Sequence, residues 1–267
     1  MERRDFLTSS LGLAAGTVAA ATPALAAPPA STVRELYELR RYSLRMGPRQ
    51  ALVDSYMQQA LLPALRRLGL GPIGAFGVVV GPDSPSLHLL IPHPNATSFA
   101  TLGDRLANDT LYRNAATAYF DVPPTEPAYD RFETSLLLAF EGHPRLAVPD
   151  AATENRARIF ELRCYESHGE KAARKKIEMF GPGGEIAIFR KTGLTPVFFG
   201  ETLAGARMPN LVYMLVFDDA PQREAAWARF REHPEWKALS STPGYGNAEI
   251  VSTIHSQILR PMPYSQI

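Results

Sequence analysis

Two short stretches set the same three side chains at alternate positions: Glu38, Arg40 and Tyr42, and again Glu161, Arg163 and Tyr165. Alternate residues of an extended strand share a face, so each set presents a carboxylate, a guanidinium and a phenol side by side. A guanidinium fork matches an anionic or carbonyl-bearing ligand, the tyrosine hydroxyl donates, and the carboxylate orients the arginine. These six residues are the candidate ligand-binding set. The competing reading is a structural ion pair that fixes sheet packing. Phe160, Leu162 and Cys164 occupy the other face of the second stretch and suit packing under helices. By elimination, the polar sets are expected to face the space between two sheets.

Other residues with chemical potential fall short of a motif. The six histidines show no metal-ligand spacing, since His88 and His93 flank Pro92 and H-E-x-x-H is absent. No metal site is expected, no cofactor can be named, and no catalytic residue is assigned; His168 and His255 are the pair that the elements could bring together. Cys164 is the one cysteine, without an intrachain disulfide partner, and reads as a small buried hydrophobe. Gly69 to Gly74 spells G-x-G-x-x-G, but it follows a helix and enters a strand, the reverse of the dinucleotide-binding order, so it reads as a helix stop and turn. Lys171, Arg174, Lys175 and Lys176 read as a solvated helix surface, and Trp236 as a packing anchor.

The elements that must position these residues come in two copies. Phe160 to Tyr165 repeats Tyr37 to Tyr42 at an offset of 123 residues, and Gly193 to Val197 repeats Gly69 to Ile73 at 124. Asp104 to Tyr112 and Ala228 to Trp236 are again 124 apart. The copies span 31–141 and 158–262, with a linker at 142–157 rich in turn formers.

Patterning gives each copy the order strand, helix, two strands, helix, strand. In the second copy the segments are Arg158 to Tyr165, Lys171 to Phe180 with a short piece from Glu185 to Lys191, Leu194 to Leu203, Asn210 to Phe217, Pro221 to Glu232, and Glu249 to Leu259. In the first copy, Pro48 to Leu68 is the first helix, with a kink expected at Pro63. A βαββαβ order implies a ferredoxin-like α+β unit with both helices on one sheet face. Two such units can pack sheet to sheet, within one chain or between chains, and a homo-oligomer stays open.

Ahead of the copies, Arg3 and Arg4 precede a weakly apolar run from Leu11 to Ala21, and Ala24-Leu25-Ala26 offers a small-x-small cleavage site. This pattern predicts a twin-arginine signal peptide over 1–26 and a periplasmic or otherwise exported protein. The run is too short for a membrane span of about 20 apolar residues, so no stable span is expected after cleavage. Formal charge is +1, with no nucleic-acid footprint.

The residues also resemble a known family. Phe160 to Tyr165, Glu185 to Arg190, Gly193 to Glu201, Tyr213 to Phe217 and Pro234-Glu235-Trp236 resemble the NIPSNAP proteins, of the dimeric α/β-barrel group. The first copy retains Glu38-Leu39-Arg40 and Tyr42 but lacks the Phe-Arg and Phe-Phe-Gly-Glu stretches. The resemblance implies two tandem ferredoxin-like units forming a dimeric α/β-barrel, and it implies no single activity or catalytic residue set. Three functions follow as expectations: binding of a small, partly apolar molecule in the barrel cavity; a cofactor-free or haem-dependent monooxygenase-like enzyme; and an assembly protein with a filled barrel.

Overall fold

The computed structural model describes residues 33–267. In the first copy the elements are β1 (Leu36–Ser43), α1 (Arg49–Tyr56) and α2 (Leu62–Arg67), β2 (Gly74–Val80), β3 (Ser86–His93), the helices α3 (Ala96–Ala100), α4 (Leu102–Ala107) and α5 (Thr110–Phe120), and β4 (Arg131–Ala139). A short helix, α6 (Asp150–Thr153), lies between the copies. The second copy runs β5 (Ile159–Glu166), α7 (Glu170–Phe180), α8 (Glu185–Thr192), β6 (Thr195–Ala204), β7 (Asn210–Phe217), α9 (Ala220–Glu232), α10 (Pro234–Ser240), α11 (Asn247–Ile250) and β8 (Thr253–Pro261).

All strand pairs are antiparallel, and they close a barrel in the order β1-β3-β2-β8-β5-β7-β6-β4. Within each copy the order is that of a ferredoxin-like sheet. The copies meet edge to edge, β2 against β8 and β4 against β6, so one chain completes the barrel. Three clusters of buried side chains result. One lies between the first copy's sheet and helices, one lies in the same place in the second copy, and the third fills the barrel with Tyr37, Phe76, Phe160, Phe198, Leu137, Met214, Leu259 and Ile267.

Local chemistry explains most boundaries. Asn95, Asp109 and Asp219 each accept a hydrogen bond from a backbone N–H three residues on, capping α3, α5 and α9. Pro63 acts differently from a simple kink: a π-helical turn, Met57–Leu61, precedes it. The widened turn absorbs the strain around a residue that cannot donate a backbone hydrogen bond. Gly69, at φ 75°, ends the helix after α2, and Gly74 opens β2.

The last strand begins later than its alternation suggests. Asn247–Ile250 is a helical turn whose Ile250 is buried in the second copy's core, and the ladder to β5 starts at Thr253. His233 breaks the helix before Pro234, and α10 continues beyond it with Trp236 against Phe230 at 4.4 Å between ring centres.

Gly200 on β6 shows how tightly the barrel is filled. A methyl group there would sit 2.8 Å from Leu137 Cβ and 3.6 Å from the Tyr37 ring. Gly200→Ala is expected to destabilise the protein by about 1–3 kcal/mol through overpacking, measured as a lowered urea midpoint with an unchanged slope.

Candidate functional site

Closure of the barrel decides which way each strand face points. Glu38, Arg40 and Tyr42 do not face the barrel interior, and neither do Glu161, Arg163 and Tyr165. Tyr37, Leu39, Phe160, Leu162 and Cys164 belong to the interior cluster, whereas Tyr42 and Tyr165 pack in the clusters beneath the helices. The expected orientation is therefore inverted. Eight strands leave an interior just wide enough to be filled by side chains, so the apolar face goes inward. The polar face is tolerable on the outside because the helices and neighbouring strands bring partners to it.

In the second copy those partners are numerous. Glu161 is fully buried. It accepts hydrogen bonds from Arg163 Nη1 (2.7 Å), Arg223 Nε and Nη2 (2.8 and 2.7 Å), Trp227 Nε1 (2.7 Å) and Ser256 Oγ (2.7 Å). Arg163 also donates to the Tyr165 hydroxyl (3.2 Å) and lies 4.8 Å from the Trp227 ring centre. Tyr213 donates to Tyr165 at 2.9 Å. Burial by itself would raise the Glu161 pKa; the hydrogen bonds from Arg223, the charge of Arg163 and the Ser256 and Trp227 donors outweigh it and hold the carboxyl down to about 2.

The first copy repeats the motif with fewer donors. Arg40 donates Nε to Glu38 (2.8 Å) and Nη1 to the Tyr42 hydroxyl (3.1 Å). His93 bridges Glu38 (3.2 Å) and Ser98 (3.1 Å). At the 124-residue offset, Phe99 and Gly103 stand where the second copy has Arg223 and Trp227, and His93 supplies the missing donor.

Arg223 and Trp227 were missed at the sequence level, although both lie four residues apart on a helix face that also carries Ala226 and Phe230. Lys176, expected on a solvated helix surface, is buried instead. It is 1% exposed and pairs with the equally buried Glu185 at 2.8 Å, because it lies on the α7 face that also buries Ala173, Met179 and Phe180. Burial pushes the Glu185 carboxyl up, and Lys176 opposes that shift. His168 and His255 have separate partners, Ala248 O at 3.2 Å and Glu166 at 2.6 Å.

A cavity of about 270 Å³ opens at one end of the barrel, between the copies. Its apolar floor is Leu39, Leu162 and Val212, and its wall includes Cys164, His255 and Thr202. None of the six predicted residues lines it. Cys164, expected under the helices, faces this mouth, directly across the ladder from His255. Burial, with a smaller contribution from Glu166, pushes the Cys164 thiol up to about 11, so it is protonated at neutral pH.

Charges at the mouth are matched: Arg41 bonds both Asp83 and Glu133, and Arg207 lies 4.0 Å from Glu166. Among the described residues no cluster of His, Cys, Asp and Glu is arranged to hold a metal, and no helix is long and apolar enough to cross a membrane.

The architecture defines a dimeric α/β-barrel completed by a single chain. Solved structures similar to it include two proteins described as putative monooxygenases. One, from Lactobacillus acidophilus NCFM, has a TM-score of 0.57 at 9% identity over 85% of this chain and 94% of that chain. The other, from Fusobacterium nucleatum subsp. nucleatum ATCC 25586, has a TM-score of 0.52 at 7% identity over 86% and 93%. At these identities the likeness is one of fold.

Residues 160–266 match the sequence model of the NIPSNAP family. A NIPSNAP-like domain protein from Burkholderia xenovorans is 24% identical over 41% of this chain and 90% of that chain, with a TM-score of 0.37. No curated protein matches the chain.

The Glu161 network is titratable. Its carboxyl is held below the ordinary value of 4.5, so its contribution is complete above pH 4.5 and is lost as pH falls toward 2. Wild-type unfolding free energy should drop by about 3 kcal/mol through that window from this group. Glu161→Gln should remove that component and cost about 3–5 kcal/mol at neutral pH by stranding Arg163 and Arg223, as measured by urea unfolding across pH.

Proposed function

We propose that the protein binds a small, partly apolar molecule at the mouth of its barrel, and that it does so outside the cytoplasm. The observation that carries the binding reading is the contrast between the two ends of the barrel interior. Most of the interior is packed with large side chains, whereas one end holds a cavity of about 270 Å³ with an apolar floor and a polar, charge-matched rim. Convergent polar groups over an apolar floor are the usual composition of a ligand site, and the volume lies just below the ~300–1,000 Å³ range of drug-sized sites.

The occupant is accordingly small. A haem does not suit this mouth, because a porphyrin is larger than a cavity of about 270 Å³. The ion-paired seam under α9 supports the site indirectly: it fixes that helix to the outer face of β5 and β8, two of the strands that line the mouth.

Two experiments test this reading. Native mass spectrometry of the protein purified from the producing cell should find a bound small molecule, absent from a Cys164→Phe variant whose new ring fills the mouth; an occupant retained by the variant would sink the assignment. The export reading rests on Arg3, Arg4 and the apolar run after them, which lie outside the described residues. A double Arg3→Lys, Arg4→Lys variant should remain in the cytoplasmic fraction while the parent chain is recovered from the periplasm, and equal distribution of the two would refute it.

A further inference from the structure

Behind the rim of the mouth, the inner face of β3 carries two buried polar side chains with no hydrogen-bond partner among the described residues. His88 is 4% exposed and both its ring nitrogens are unpartnered; Ser86, two residues away on the same face, is equally buried with a free hydroxyl. His88 pairs in register with Arg41 on β1 and Phe76 on β2, and Ser86 with Ser43, so both point into the barrel. Leaving a polar group unpaired in the interior costs about 1–3 kcal/mol, and such groups call for a partner that the protein itself does not supply.

The mouth cavity reaches Leu39, one step deeper along β1 than Arg41, but its lining does not include His88. Beside His88, within that lining, stands an ion pair. Arg41 on β1 bonds Asp83 in the β2–β3 loop, Arg41 is the register partner of His88, and both charges act on the His88 ring, so the bridge stands beside His88.

We propose that opening the Arg41–Asp83 bridge extends the mouth to His88 and Ser86, and that this extension takes the hydroxyl group of a small neutral molecule whose apolar body rests on Leu39, Leu162 and Val212. The inference rests on the mouth being a binding site and names the chemistry of its ligand.

The chemistry follows from what is left unpaired. Burial, reinforced by Arg41, holds the His88 pKa down to about 4, so its neutral ring offers one N–H donor and one lone pair. A hydroxyl uses both kinds of partner at once, and Ser86 can serve as either. A carboxylate or an ammonium fits less well, because Arg41 is already bonded to Asp83 and Glu133 and Arg207 faces Glu166. No unspent opposite charge waits at the mouth.

Titration calorimetry with four ring compounds of one size provides the test: cyclohexanol, cyclohexanecarboxylate, cyclohexylamine and methylcyclohexane. Cyclohexanol should bind the wild-type protein at least about tenfold more tightly than the other three, the cost of one unmet buried hydrogen bond. His88→Phe, which replaces the ring with an apolar one, should abolish that preference while thermal stability is kept or raised.

Equal alcohol affinity in the variant, or preference for a charged ligand, overturns the inference. Equal binding of methylcyclohexane and cyclohexanol by the wild type leaves the mouth as a site and removes only the role of His88; no binding of any probe removes both. Should the variant fail to fold, the ring ¹⁵N resonances of His88 in the wild type decide. They should move on titration with cyclohexanol, and unmoved signals would mean that an ordered water is their only partner.

Discussion

The structure depends on closure of the barrel within one chain. Two four-stranded sheets, each with two free edges, join through β2–β8 and β4–β6. Closure removes every unpaired edge, which would otherwise be a template for association. It also leaves no strand face in solvent by default: one face must fill a narrow interior, and the other must be covered by helices. The three separate buried clusters are the direct outcome.

That constraint explains why buried charge is placed where it is. A carboxylate directed into the barrel would meet only opposing strands of the same filled interior. Beneath the helices, Glu161 meets Arg223 and Trp227 from α9 as well as Arg163 and Ser256 from the sheet. The resulting network ties one helix to two strands through a single carboxylate. The first copy ties the same corner with Arg40 and His93 and fills the remaining space with tyrosines, Tyr56 stacking on Tyr119 at 3.8 Å between ring centres. The halves thus reach the same geometry with unequal polar investment.

The two ends of the interior differ for a related reason. Toward one end the inward positions carry Tyr37, Phe76, Phe160 and Phe198, and Gly200 is the concession that lets Tyr37 and Leu137 meet. Toward the other end the inward positions become Arg41, Cys164, Thr202, Asn210, His255 and Gln257. Long polar side chains bend toward solvent and pair with one another, so they line a space without filling it. The cavity is where the inward-facing sequence changes from aromatic to polar.

The repeat, the βαββαβ order and the family resemblance were all readable in the chain, because strand alternation and helix caps are local signals and a 123- to 124-residue offset is visible without structure. The Glu-Arg-Tyr trios were legible as sets sharing one face, since that follows from the two-residue period of a strand. Which face turned inward was decided only by the tertiary structure. Elimination fails when both faces are buried, and the neutralising groups, Arg223, Trp227 and Ser256, come from positions 62 to 95 residues away. Likewise, helical spacing puts Lys176 on the face of Ala173, Met179 and Phe180, but nothing local marks Glu185 as its partner or His88 as lacking one. Burial and hydrogen-bond satisfaction belong to the packed assembly, and only closure of the barrel brings the relevant groups within reach.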